Sequence, residues 1–402
     1  MTVPGNNDRD PAASDVRILD MADERGSFCG KLMADAGACV TKVEPPSGDP
    51  GRFIGPFWHG VFHPERSLPF WYHNTNKRGI TLDIEKPRGR ELFIELVKMN
   101  DVVIETFSPG YLVSLGLSYE NLITYNPTVI MLSITGFGQG GSGAGRKSSD
   151  IVASAAGGQM SVCGRKNGPP LRLFGNQSYY SGSLYGAIAI FLALRRGIAT
   201  HIDISLQESV ASSLEHVFPR FFYRGEIPGR RGGLHWDNAF AIVPCCDGFL
   251  HITLRHQWDV LLELMNADGV AKDLTGGKWL KEDYRMKHID RIISVVEKWS
   301  SAHTVEELFH LGQSMQFPWA PVYFPSNIIE SEHLNARDFF VPVEHEDIPA
   351  VVKYPRSPLL FGGRGRGVAR PPLIGESNMA VFSEEMRIPA GELNSLKASG
   401  VL

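Results

Sequence analysis

From residue 16 to residue 214 the chain alternates short β-branched runs with segments of helical periodicity, and that alternation leaves βα units on a mostly parallel sheet as the fold to expect. The runs cover 16–19, 39–44, 80–84, 101–105, 129–135 and 202–206. Between them 28–36, 87–99, 119–125, 149–162 and 181–195 read as helices, with Pro87 in a first turn, where its missing N–H costs nothing. The pattern predicts an α/β chain with a Rossmann-like large domain over 16–225, preceded by a loose polar extension over 1–15. After Gly225 the stretch PGRRGGLHWDN (228–238) marks a boundary. Runs at 239–244 and 248–253, joined through Cys245, Cys246 and Asp247, predict a hairpin, and amphipathic segments follow at 258–265, 283–300 and 304–315. A smaller α+β domain is therefore expected over 226–330. Residues 331–402 should return to the large domain and end in a helix near 390–398.

Charge and composition exclude several classes of function. Lys and Arg number 40 against 44 Asp and Glu, a net charge of -4, so there is no basic field for nucleic acid or an anionic membrane surface. The longest uninterrupted apolar stretch, 184–194, is about half of the ~20 residues a bilayer requires and reads as a core helix. The polar N-terminal stretch 1–14 lacks the apolar segment of a signal peptide, and the five cysteines form no CxxC pair; both point to a cytoplasmic protein with reduced thiols. His59 and His63 are four apart, but in a stretch rich in Pro and aromatics, so no metal is expected there.

Gly136, Gly138 and Gly141 satisfy GxGxxG after a predicted strand, yet no helix opens after Gly141 and 160–167 holds no acid for a ribose hydroxyl. A flexible loop over another ligand is the better reading, with Arg146 and Lys147 at its end. No GxSxG elbow is present, and Cys29 reads as a buried, inert thiol.

The block ILDMADERGSFCGKLMADAGACVTKVEPPSGDPGR (18–52), the block from Asn74 to Gln139, and the later PCCDGF (244–249), PWAPV (318–322) and PLIGES (372–377) resemble the family III CoA-transferases, which include formyl-CoA transferase, carnitine CoA-transferase and methylacyl-CoA racemase. The resemblance runs through nearly the whole chain after residue 15. It implies a Rossmann-like large domain, a small domain, a dimer whose chains interlock like links, and transfer of coenzyme A between carboxylic acids. In such proteins an aspartate attacks the acyl thioester and passes through a mixed anhydride to an aspartyl-CoA thioester, which splits one hard exchange into easier steps.

At that position the chain departs from the family. The pattern places the aspartate four residues before the residue that opens SLYGAIAIFLAL (183–194), which here is Tyr179 within GNQSYYSGS (175–183). No Asp or Glu lies between Phe174 and Arg195. A phenol of pKa about 10 is roughly 0.1% ionised at pH 7. The racemase branch uses a His where this chain has Ser149. No catalytic residue is therefore expected in this chain, and packing at a vacated site is the plain reading of Tyr179. For the coenzyme the resemblance points to Arg25 in the first turn, to Thr106, Phe107 and Ser108, and to Lys147. Pro45 and the Arg-free stretch 110–116 are departures from its usual basic contacts.

An intact scaffold without a nucleophile suits a heteromer, in which a homologous Asp-containing catalytic subunit is the partner and acyl-CoA and carboxylic acids are the substrates, with CoA bound by this chain or by the partner alone. Within the family the chain resembles the aspartate-free subunit of the heteromeric transferases that act on benzylsuccinate in anaerobic toluene degradation. Two alternatives stand beside this: a homodimeric transferase using another carboxylate, such as Glu208 or Asp150, and a non-enzymatic acyl-CoA-binding protein. Both acids also have plain roles as helix-start charges.

Overall fold

Six strands form one all-parallel sheet in the computed structural model, which describes residues 13–346, 348–360 and 365–402. They are β1 (Arg17–Asp20), β2 (Cys39–Glu44), β3 (Arg78–Thr81), β4 (Val102–Glu105), β5 (Ile130–Thr135) and β6 (Thr200–Ser205). Their order is β3-β2-β1-β4-β5-β6, with every neighbouring pair parallel. This is the doubly wound order, in which the direction of winding reverses between β1 and β4. Successive side chains on a strand face opposite sides. Leu19, Val103 and Met131 accordingly pack with Phe93, Leu96 and Phe382 on one face. Ile18, Ile104 and Leu132 pack with Met33, Tyr179 and Ile190 on the other.

The expected α/β class is present, with differences at element ends. The run 80–84 starts earlier, at Arg78, and leaves the sheet after Thr81, where Asp83 turns its N–H to the Val401 carbonyl. The helix expected over 149–162 is two, Asp150–Ala156 and Gln159–Val162, broken at Gly157 and the left-handed Gly158 (φ 89°). The helix expected from 181 begins at Gln177 and runs to Arg196, so Tyr179 lies inside its first turn. Gly197, left-handed at φ 62°, closes it. Polar, weakly helix-forming residues at 175–183 hid that start.

Several elements were not foreseen, among them a helix and a hairpin. The helix Leu68–Asn74 starts at the end of the Pro- and aromatic-rich stretch around His59 and His63, where the Ser67 hydroxyl caps it by accepting the Phe70 N–H. An antiparallel hairpin pairs Phe340–His345 with Ala350–Pro355.

The chain divides into two compact units. One holds 13–159, 172–222 and the described part of 333–402; the other holds 160–171 and 223–332. The segment 160–171 thus groups with the second unit, although the sequence pattern left it in the large domain. Of the expected extension over 1–15, residues 1–12 lie outside the described ones, and Ala13 is fully buried.

The second unit contains the expected hairpin, Phe240–Pro244 against Phe249–Thr253, extended by Ala320–Pro321. Trp299, Trp319 and Phe317 fill its core. The helix expected over 283–300 changes course at His288, giving Glu282–Lys287 and Ile289–Ser300. Among the described residues no helix is long and apolar enough to cross a membrane.

Candidate functional site

In a sheet of this order the crevice opens at the carboxyl ends of β1 and β4, where winding reverses. The loop after β1 carries Asp23, Glu24 and Arg25; the loop after β4 carries Thr106, Phe107 and Ser108. Thr106 joins them, since its hydroxyl donates to Asp23 Oδ1 at 2.9 Å and accepts the Asp23 N–H at 3.0 Å. Gly26 follows because there is no room for a side chain: a Cβ would lie 2.7 Å from the Thr106 methyl.

Arg25 is committed to Asp23. Its Nε lies 2.8 and 3.0 Å from the two carboxylate oxygens and its Nη2 is 2.6 Å from Oδ2. Burial works against the charge, but the Asp23 hydrogen bonds together with the charges of Asp23 and Glu24 outweigh it and raise the guanidinium's pKa.

Tyr179 faces the same loop from the first turn of the long helix Gln177–Arg196 and is 6% exposed. Its phenol is pushed up to about 12, first by burial and then by Glu24, against a backbone hydrogen bond from Asp150 that favours the phenolate. At neutral pH it is an uncharged hydroxyl. Asp150 opens its own helix after Ser149, and its Oδ1 accepts both the N–H and the hydroxyl of Ser178, at 2.9 and 2.7 Å. Arg25, Thr106, Tyr179 and Asp150 thus converge on one crevice. Ser108 and Lys147 are exposed, and the Phe107 ring packs on Tyr111 with centroids 4.7 Å apart.

Beneath the crevice lies a layer of buried ion pairs. Lys77 and Asp20, both fully buried, meet at 2.7 Å, and Lys77 also donates to Asn74 Oδ1 and the Ser27 carbonyl. A Cβ on Gly30 would come within 2.2 Å of Asp20 Oδ2, so this pair requires glycine on the helix above it. Lys42 pairs with Asp49 at 2.6 Å, and Arg52 holds Glu44 through two bonds of 2.6 and 2.8 Å.

Glu24, Ser27, Asp49, Phe70, His73 and Asn176 line a cavity of about 200 Å³ at this edge. Burial, then the neighbouring Asp23, raises the Glu24 pKa. Burial, reinforced by Lys77 and Lys31, lowers His73 to about 4, leaving a neutral ring whose Nε2 is 3.2 Å from the Tyr180 hydroxyl. The cavity therefore presents carboxyl groups and a neutral imidazole, while Arg25, Lys42, Lys77 and Arg52 are each already paired. Such a lining does not attract a second carboxylate.

The glycines at 136–141 do not open a helix; the next helix starts at Asp150. The dinucleotide reading fails structurally as it does in the sequence.

Sequence reasoning missed Asp23, Glu24 and Glu105. For Glu105 the signal available was an acid ending an otherwise apolar strand, VVIE at β4; Asp23 and Glu24 stand three and four residues past the end of β1, where that signal does not reach.

The description CoA-transferase family III matches residues 14–378. Succinyl-CoA:(R)-benzylsuccinate CoA-transferase subunit BbsE of Thauera aromatica is 31% identical over 400 residues, covering 96% of this chain and 97% of that protein. Formyl-CoA:oxalate CoA-transferase of Streptomyces coelicolor is 29% identical over 97% of this chain and 99% of its own length. A crystal structure of a CaiB/BaiF family protein from Brucella suis superposes with a TM-score of 0.82 at 27% identity, covering 93% of this chain and 99% of that one. With a match of this extent, and with the sheet order and crevice in place, the chain belongs to CoA-transferase family III.

Proposed function

We propose that this chain is the nucleophile-lacking subunit of a heteromeric family III CoA-transferase, cytoplasmic, that moves CoA between carboxylic acids. Succinyl-CoA and benzylsuccinate are the donor and acceptor suggested by the relative from Thauera aromatica. One observation carries the reading. Where the family's aspartate falls, the crevice holds the Tyr179 phenol, raised to about 12 and surrounded by acids. A phenol in that state supplies neither an ionised nucleophile nor a route through an anhydride.

The other carboxylates do not replace it. Asp150 is spent on Ser178, and Glu208 is exposed in the first turn of Leu206–Ser212. Arg25, Thr106, Phe107, Ser108 and Lys147 remain the residues we assign to the coenzyme, Arg25 acting through a fork already fixed by Asp23.

A partner chain is supported by the long helix itself. Its inner face is built from small residues, among them Gly182, Ser183, Gly186 and Ala187. Its outer face exposes Leu184, Tyr185, Ile188, Phe191 and Leu192 at i, i+1, i+4, i+7 and i+8. A helix apolar all round belongs in an interior, so the exposed stripe calls for a second chain, in keeping with an interlocked dimer.

The deciding experiment purifies this chain alone and together with a homologous Asp-bearing chain, then assays CoA transfer from succinyl-CoA to benzylsuccinate. Activity only in the pair, with any CoA ester on the partner, is expected. Robust transfer by the lone chain, or a CoA ester on one of its side chains, overturns the proposal.

A further inference from the structure

Glu105 closes β4 and is 3% exposed, and its two oxygens reach both segments that we assign to the coenzyme. One accepts the Phe107 backbone N–H at 2.6 Å, inside the tripeptide after β4. The other lies 3.5 Å from Nε2 of Gln139 in the glycine loop. Ser133 on β5 hydrogen-bonds the same carboxyl. Gln139 is also held from the opposite side, where its backbone N–H meets the two oxygens of Asp203 on β6 at 3.0 and 2.9 Å. A loop with left-handed Gly138 (φ 86°) and Gly141 (φ 82°) has little conformational preference of its own. This clamp across the end of β5 therefore determines where the loop delivers Arg146 and Lys147.

We propose that Glu105 is a positioning residue that, through Gln139, holds the loop 136–149 in register with Phe107, so that Lys147 and the tripeptide present to the coenzyme together. The proposal rests on the family reading of those segments.

The ionised carboxylate accepts from three donors: the Phe107 N–H, the Ser133 hydroxyl and the Gln139 side-chain N–H. A proton on Glu105 converts one acceptor into a donor. Ser133 can accept that proton's hydrogen bond by turning its own hydrogen to Nε2 of His201, 2.8 Å away, on a ring whose pKa burial lowers. The Gln139 contact is the longest measured at this carboxyl and loses the charge it depends on.

Burial pushes Glu105 up to about 7, with Arg25 favouring its charge and Asp203 opposing it. The other titratable groups around it are His201 on β6 and Tyr119 and Glu120 on the helix Tyr119–Tyr125, all lining one cavity of about 120 Å³ with Glu105. The loop is thus clamped above about pH 7 and released below it. Global stability moves the other way. An acid whose folded pKa is raised stabilises the fold when protonated, and that contribution is lost as pH rises through about 7.

The test measures hydrogen exchange of peptides covering 136–149, corrected for intrinsic rate, together with the urea midpoint of the full chain at pH 8 and pH 6. We expect loop protection to fall by up to about tenfold from pH 8 to pH 6 while the midpoint rises, a divergence that a merely structural acid does not produce. Glu105→Gln should remove the pH dependence of both. Gln139→Ala should loosen the loop at pH 8 to about the wild-type level at pH 6, change it little at pH 6 and leave the midpoint unchanged, and CoA affinity at pH 8 of the protein in the assembly it forms should weaken by the same factor. Wild-type loop protection that ignores pH, protection that survives Gln139→Ala, or CoA affinity indifferent to the loosened loop overturns the proposal. The exchange measurement needs neither turnover nor a partner, so failure of the heteromer reading leaves it intact.

Discussion

The β1–β3 edge of the sheet and the long helix Gln177–Arg196 solve opposite problems. At the first, charges are buried and every one is answered within the chain: Asp20 by Lys77, Asp49 by Lys42, Glu44 by Arg52. At the second, polar groups are few, one is unanswered and apolar surface is left outside. The Ser183 hydroxyl is fully buried with no hydrogen-bond partner among the described residues, and Leu184, Tyr185, Ile188, Phe191 and Leu192 face out. The contrast separates charge satisfied inside the chain from apolar surface left outside it. The ion-pair layer holds the crevice floor with partners from this chain, whereas the long helix keeps an apolar stripe on its outer face, the surface that the proposed partner would cover.

Substitutions can break that contrast at either end. The largest effect should come from Lys77→Met, which strands Asp20 without a countercharge and should cost about 3–5 kcal/mol in chemical denaturation. If it costs less than about 1 kcal/mol, the layer is not a closed network. Next, Glu105→Gln should stabilise the chain at pH 8 by up to about 3 kcal/mol, because a folded pKa of about 7 in place of the ordinary 4.5 makes the charge costly there. The advantage should shrink as pH falls through about 7 and vanish only below about 4, where the acid is neutral in the folded and the unfolded chain alike; urea midpoints across that range check both size and sign.

Ser183→Ala removes an unsatisfied buried hydroxyl and should gain about 1 kcal/mol, read as a higher melting temperature. The smallest effect on folding, within about 0.5 kcal/mol, is expected for Ile188→Asp on the exposed stripe. That same change should abolish pairing with a second chain in sedimentation or light scattering, and unimpaired assembly would place the interface elsewhere.

Much of the fold was readable before any coordinates. β2 lies at 39–44 as expected, and the helices Tyr119–Tyr125 and Ala390–Ala398 also fall on their expected residues, because period and punctuation agree there. The hairpin Phe340–His345 with Ala350–Pro355 escaped because its strands carry Pro342 and Pro355 and a mixed face. The start of the long helix escaped because Ser, Tyr and Gly at 178–182 have weak propensity, and packing against Ile134 and Leu206 overrides it. At the site, the resemblance to family III pointed to Tyr179, Arg25 and Thr106, by position along the chain. Pairing was invisible: that Asp23 occupies Arg25, or that one carboxyl of Glu105 spans two loops, depends on distances that no spacing in the sequence encodes.

The bidentate grip of Asp23 on Arg25 bears on what an acid at position 179 could do. An aspartate restored at position 179 would enter a neighbourhood already holding Asp23, Glu24 and Asp150, with the local cation spoken for. Like charges at that range push a carboxyl toward its neutral form, so the newcomer would arrive poorly nucleophilic. On the proposed reading, a working nucleophile at 179 would need at least a second change, one that loosens the hold of Asp23 on Arg25.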